Sequence, residues 1–163
     1  FKKYEFDCHG VEMNQRYTSG AVVTDGQQPP TPNADMELHY QPTTYPGARL
    51  PHVWLFDRNG AKHSTLDLTG KGQFTLITGI GGEPWIAAAE TLSQSLNLPI
   101  RIVKIGPRCA IEDHGGDWAR AREIRDAGCL LVRPDQHVAW RADTLTADPQ
   151  ADLTRVLHAI LGH

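Results

Sequence analysis

Cysteine is scarce in this chain: only Cys8, Cys109 and Cys129 occur among 163 residues, and they lie far apart. An odd number at such spacing argues against a secreted disulfide framework and fits a reducing cytoplasm. No C-x-x-C and no paired Cys/His spacing occurs, so dithiol redox chemistry and structural zinc both lack their sequence signals. Long hydrophobic runs are missing as well. Nothing approaches the roughly 20 apolar residues that cross a bilayer, and the opening Phe1-Lys2-Lys3-Tyr4-Glu5-Phe6-Asp7 has no apolar signal-peptide core, so no membrane partner is expected. Neither sign of charge dominates. With 16 basic and 19 acidic residues the net charge is -3, which creates no field that would draw nucleic acid.

A glycine-rich phosphate cradle is also wanting. Thr78-Gly79-Ile80-Gly81-Gly82-Glu83-Pro84-Trp85 matches the first two glycines of G-x-G-x-x-G but places Pro84 where the third belongs. No acidic residue ends a second strand about 20 positions later. The stretch reads instead as a turn into a helix.

What is present is a globular composition, 40% hydrophobic, enough for one ordinary domain with an appended segment. Residues 1–49 form the appended part. Their one apolar stretch, Ser19-Gly20-Ala21-Val22-Val23, is short and runs into Pro29-Pro30-Thr31-Pro32, a density of proline that favours extended backbone. Tyr4, Phe6, Met13, Tyr17, Met36 and Tyr40 need burial that this connector cannot itself supply.

Residues 50–163 read as a folded domain. Val53–Phe56 is a strand, Arg58-Asn59-Gly60 a hairpin turn, and His63–Leu68 the return strand. Phe74–Thr78 is a buried strand bounded by glycines. A helix starts at Pro84, with Trp85, Ile86, Ala89 and Leu92 at helical spacing, and stops at Asn97-Leu98-Pro99. Ile100–Ile105 alternates as the next strand, giving a parallel pair. A short helix covers about Trp118–Asp126, with Gly128 as its stop. Leu130–Arg133 and His137–Trp140 form an antiparallel hairpin across Pro134-Asp135-Gln136. Asp148 caps a last helix, Pro149 fills its first turn, and Leu153, Val156, Leu157, Ile160 and Leu161 line one face. The order predicts an α/β fold, a thioredoxin-like sandwich with a mixed central sheet, an extra N-terminal hairpin and an extended connector ahead of it. Where a thioredoxin presents its C-x-x-C, this chain has Gly81-Gly82-Glu83-Pro84-Trp85, so the fold would stand without the redox function.

The densest ionisable cluster is Asp113-His114-Gly115-Gly116-Asp117. Its spacing matches no metal motif, and Asp117 as the cap of the following helix accounts for it. His9 beside Cys8, and His158 with His163, read as structural histidines. Cys129 opens an apolar strand as a buried small hydrophobe.

Three runs carry a family resemblance. They are Gly10-Val11-Glu12-Met13-Asn14-Gln15-Arg16-Tyr17, then Tyr45-Pro46-Gly47-Ala48-Arg49-Leu50-Pro51-His52-Val53-Trp54-Leu55, and Leu130-Leu131-Val132-Arg133-Pro134-Asp135-Gln136-His137-Val138-Ala139-Trp140-Arg141. Together they resemble the C-terminal end of FAD-dependent aromatic-ring monooxygenases, most closely the phenol and chlorophenol hydroxylase branch. The resemblance implies a thioredoxin-like C-terminal domain whose parent enzyme uses FAD, NAD(P)H and O2. The flavin-binding and catalytic parts are absent from this chain, which opens on Phe1 rather than Met as a fragment would. No catalytic, cofactor-binding or metal residue is assigned. Arg49 and His52, and with them Arg16 and Tyr17, are candidates for contact with the catalytic domains of the same polypeptide, and the domain is expected to contribute to a subunit interface of a homo-oligomer. Two other readings stay open: a free-standing, redox-inactive thioredoxin-like binding module, and a thiol enzyme using Cys109 or Cys129.

Overall fold

A computed structural model describes residues 8–33 and 35–162. Tyr4, Phe6 and His163 lie outside the described residues. The elements are α1 (His9–Met13), β1 (Trp54–Asp57), β2 (Lys62–Ser64), α2 (Thr65–Leu68), β3 (Phe74–Thr78), α3 (Glu83–Ser95), β4 (Ile100–Lys104), β5 (Ile111–Glu112), α4 (Asp117–Ala121), β6 (Cys129–Val132), β7 (Val138–Ala142) and α5 (Pro149–Leu161).

The central sheet is mixed, in the order β4-β3-β6-β7. β3 pairs with β4 in parallel, whereas β3 with β6 and β6 with β7 are antiparallel. β3 and β6 are buried at every residue, which is why they read as unbroken apolar runs. Alternation sends their side chains to opposite faces. Leu76, Leu131 and Trp140 join Trp85, Ala89 and Leu92 of α3 and Leu153, Val156 and Leu157 of α5 in one core. Ile77, Leu130, Val132 and Val138 join Leu50, Leu55, Leu68 and Trp118 in a second.

The structure adds to or corrects the sequence reading at five points. First, the extra hairpin stands apart from the central sheet: β1 pairs with β2 and with β5, forming a separate sheet in the order β2-β1-β5 that helps close the second core. β5 is only two residues long, too short to show a period. Second, the return strand stops at Ser64. Ser64 Oγ accepts from Leu66 N–H (3.1 Å) while Ser64 N–H donates to Asp67 Oδ2 (2.8 Å), a reciprocal cap that turns the chain into α2. Third, α4 ends at Ala121, short of Asp126, because Glu123 takes a left-handed φ of 52°. Its carboxylate is drawn away to the connector. Gly116, rather than Asp117, is the N-cap of α4, and Asp113 Oδ2 accepts from Ala119 N–H at 3.0 Å. The connector is not wholly extended either, since α1 forms one helical turn and Leu38 is buried.

Two outcomes follow. Leu131 lies in the first core with no exposed surface. Leu131→Ala is expected to cost about 2–5 kcal/mol in urea unfolding, against less than about 0.5 kcal/mol for Leu161→Ala at the exposed end of α5. The hairpin turn adds a pH dependence. The hydrogen bond from His63, then the N–H groups of Ala61 and Asn59, hold the Asp57 carboxyl below its ordinary 3.8. A depressed carboxyl stabilises the fold fully above its unfolded value and loses that contribution as pH falls through the folded one. The β1–β2 amides are therefore expected to exchange faster as pH drops below 3.8, once intrinsic exchange is corrected for, and Asp57→Asn removes that step.

Candidate interdomain surface

Gly47 is where the three sequence runs meet. It adopts a φ of 94°, open to glycine, and a Cβ there would stand 2.3 Å from the Tyr17 carbonyl oxygen. Gly47 N–H donates to Val138 O (2.7 Å), Val138 N–H to Ala48 O (2.9 Å) and Tyr17 N–H to Gly47 O (2.9 Å). Bridges join Arg16 to Ala48 and Arg49 to His137. Residues 47–49 thus cover the outer edge of β7 and residues 16–17 add a further rung. Covering an edge removes an unpaired row of donors and acceptors.

Arg141 fastens the same region from inside. Its Nε donates to Asp25 Oδ2 (2.5 Å), and Nη1 to Glu123 Oε2 (3.0 Å) and Thr44 Oγ1 (3.3 Å). Its guanidinium also sits over the Tyr45 ring, 5.5 Å from the centroid. Glu123 Oε2 accepts from Thr43 Oγ1 (2.7 Å) and Thr44 N–H (2.9 Å). The Arg141 and Asp25 side chains are only 11% and 12% exposed, so the pair is screened far less than a surface ion pair.

Of the four contact candidates, Arg16, Tyr17 and Arg49 come together on this edge. Arg16 lies 5.9 Å from the Tyr45 ring centroid. Tyr17 is half-exposed, with its ring edge-on to His137 at 4.7 Å. Arg49 reaches Gln136 Oε1 at 3.5 Å, its Nε is buried without an acceptor, and its charge opposes the rise that burial gives the Tyr40 phenol. His52 is elsewhere. It lies on the outer face of the small sheet, edge-on to Trp54 at 4.8 Å, with Nδ1 3.3 Å from Ser64 Oγ. Arg141 is the residue that sequence reasoning missed. It closes the third of the three runs as a lone arginine after an apolar stretch, which by itself assigns it no role.

The other clusters offer less chemistry. Clefts among the described residues include one of about 590 Å³ between Thr24–Gln28 and β7–α5, and another of about 460 Å³ beside α4 holding Asp113 and His114. Among the described residues no group of three His, Cys, Asp or Glu side chains is arranged to hold a metal ion. Burial pushes the Cys129 thiol far up, so it stays protonated and inert at neutral pH. The Gly79–Gly82 turn serves packing: a Cβ at Gly82 would meet Thr78 Oγ1 at 1.9 Å and one at Gly79 would meet Asp126 O at 2.5 Å. Glu83 then occupies the first turn of α3 and pairs with Lys104, so a carboxylate of the chain itself already stands at that terminus. No described helix is long and apolar enough to cross a membrane.

Residues 43–163 match the family model described as aromatic-ring hydroxylase, C-terminal. The chain belongs to that family. Among aromatic-ring hydroxylases it is 51% identical to 2,4-dichlorophenol 6-monooxygenase of Cupriavidus pinatubonensis over 160 residues, covering 98% of this chain and 27% of the relative. It is 45% identical to phenol 2-monooxygenase of Pseudomonas sp. strain EST1001 over 156 residues, covering 96% and 26%. Among solved structures, the flavin-dependent monooxygenase PieE, crystallised with FAD and substrate, matches with a TM-score of 0.87 at 44% identity over 96% of this chain and 26% of that one. The chain therefore spans about a quarter of the length of these aromatic-ring hydroxylases, and corresponds to one domain of a larger polypeptide.

The Arg141 network is expected to control how tightly the segment around residues 23–45 lies on the rest of the chain. Arg141→Met should raise hydrogen exchange at Val23 and Thr44 about tenfold or more, the equivalent of about 1.4 kcal/mol of local opening. Amides of β3 and β6 should keep their protection, as exchange read by mass spectrometry would check.

Proposed function

We propose that this chain is the C-terminal structural and interface domain of an FAD-dependent monooxygenase that hydroxylates phenolic, including chlorinated, aromatics with O2 and NAD(P)H. The observation that carries the reading is 51% identity to a 2,4-dichlorophenol 6-monooxygenase over 98% of this chain but 27% of the relative. On this reading residues 1–49 are the connector from the catalytic part and 50–163 the domain itself. The strand order β4-β3-β6-β7, with one parallel and two antiparallel pairings and two helices on one face, supports a thioredoxin-like description of that domain. Gly81–Trp85 stands where such a fold would carry its thiols, so no redox role goes with it.

The residues present do not fit a flavin or nicotinamide. The glycines of the Gly79–Gly82 turn are filled by Thr78 and Asp126, and Glu83 guards the helix end behind them. FAD and NAD(P)H would be held by the part of the polypeptide beyond this chain, and no step of the hydroxylation is routed through residues described above. The domain's contribution is to cover that part, with Arg16, Tyr17, Arg49 and His52 as contact residues, and to supply a surface for homo-oligomer assembly in a cytoplasmic enzyme. The absence of a disulfide at buried Cys109 and Cys129 suits that compartment.

The test is the intact mass of the polypeptide from its native source together with its visible absorption. A chain about four times heavier that carries flavin is the expected result, while the 163-residue chain alone should neither retain FAD nor turn over. A native chain of 18.0 kDa without flavin would overturn the reading and favour a free-standing binding module.

A further inference from the structure

The small sheet β2-β1-β5 has one face in the second core and one face uncovered. Leu55 points inward with no exposed surface, so the alternating residues of the same stretch, His52, Trp54 and Phe56, lie on the opposite side. Their rings form a row. His52 is edge-on to Trp54 at 4.8 Å, and Phe56 stacks on His114 at 4.8 Å with 7° between the planes. Lys62, opposite Phe56 in the register, sets its Nζ 4.4 Å above the Trp54 ring centroid. Trp85, Trp118 and Trp140 are at most 5% exposed, whereas Trp54 is 45% exposed. Nothing in the fold needs this indole outside: it spans no core and caps no helix.

We propose that this face docks onto the catalytic part of the same polypeptide, with the His52–Trp54–Phe56 row at the centre of the contact. The inference rests on the domain reading given above and commits to an occupant and a surface. The occupant follows from length, since the relatives carry about three-quarters of their chain beyond the region matched here. The surface has the make-up of an interface centre, aromatic and rimmed by Lys62 and Glu112, both opposite Phe56 in the register. It also adjoins the connector's own attachment. The run Arg49–Trp54 passes from the rung on β7 directly into β1, so a body joined through the connector has this face within reach. Closing the face would desolvate the Lys62–Trp54 pair, and a cation over an indole binds more strongly out of water than in it. The covering part is therefore expected to bring an apolar patch with a carboxylate or carbonyl oxygen for the Lys62 ammonium, not a second cation.

Hydroxyl-radical footprinting of the native polypeptide, read by mass spectrometry at single tryptophans, tests this without altering any residue. If the face is docked, Trp54 is oxidised at the rate of Trp85 and Trp118. Exposed Ile80 and Leu161 report in the same sample that the dose reached the domain. Oxidation of Trp54 about tenfold faster than those two indoles, in a polypeptide that is long and flavin-loaded, overturns the docking and leaves the domain reading standing. Protection of Trp54 that disappears on dilution would mean that a second copy covers the face, which also overturns it. A native chain of 18.0 kDa without flavin removes the occupant and the domain reading together.

Discussion

The placement of the connector depends on a single guanidinium. Arg141 projects from β7 and is held by Asp25 on one side and by Glu123 on the other, with Thr44 and Tyr45 against it. Those partners come from three separated stretches of chain, so one side chain fixes the approach of the connector, the end of α4 and the edge of the central sheet. The cost is visible in the backbone. Glu123 is held at a φ of 52°, a conformation that only surrounding contacts sustain. Five donors in a rigid planar fork allow one arginine to serve acceptors on different sides at once, where a lysine offers a single nitrogen.

The two cores make this polar fastening workable. Because β3 and β6 are buried on both faces, their hydrogen bonds and side chains fix the sheet without help from the connector. The connector is then free to be polar. It meets the sheet through backbone rungs at Val23, Gly47 and Ala48 and through the Arg141 network, with a small apolar contribution from Val23 against the first core. An attachment made of hydrogen bonds and one ion pair sets direction more strongly than it adds stability, since each such bond nets only about 0.5–1.5 kcal/mol.

Much of this arrangement was legible in the sequence, and the exceptions have a common cause. β3 and α3 were readable because period and boundary signals agreed: Phe74–Thr78 sits between glycines, and Pro84 opens α3. Asp148-Pro149 marked the start of α5 in the same way, and Asp148 does accept from Ala151 N–H. The errors fell where a side chain far away in sequence, or a local cap, overrode the local pattern. His63–Leu68 alternates well enough for a strand, yet Ser64 and Asp67 cap one another. Trp118–Asp126 has good helix formers, yet Glu123 is pulled out by residues about 80 positions earlier. The edge contact of Arg16, Tyr17 and Arg49 could be suspected from the wording of two sequence runs. That both runs lie against β7, with His52 set apart on another face, is a matter of three-dimensional register that neither run encodes alone.

The glycines show how small residues can serve packing in place of a ligand. In a nucleotide cradle, glycine makes room for a phosphate. Here Gly79 and Gly82 make room for Asp126 and Thr78, and Gly47 for Tyr17, so the same residue type closes space that a cofactor would need open. A domain built this way gains packing and gives up ligand capacity at the same positions. Outside the two cores lie the edge of β7, covered by the chain's own residues 47–49, and the outer face of the small sheet. These surfaces meet along the short run from Arg49 to Trp54, so a substitution in that run acts on both. This coupling gives a physical reason for Pro51 in so short a segment: it restricts the backbone of the path between the edge and the face, and the angle between those surfaces is thereby held by covalent geometry as well as by contact.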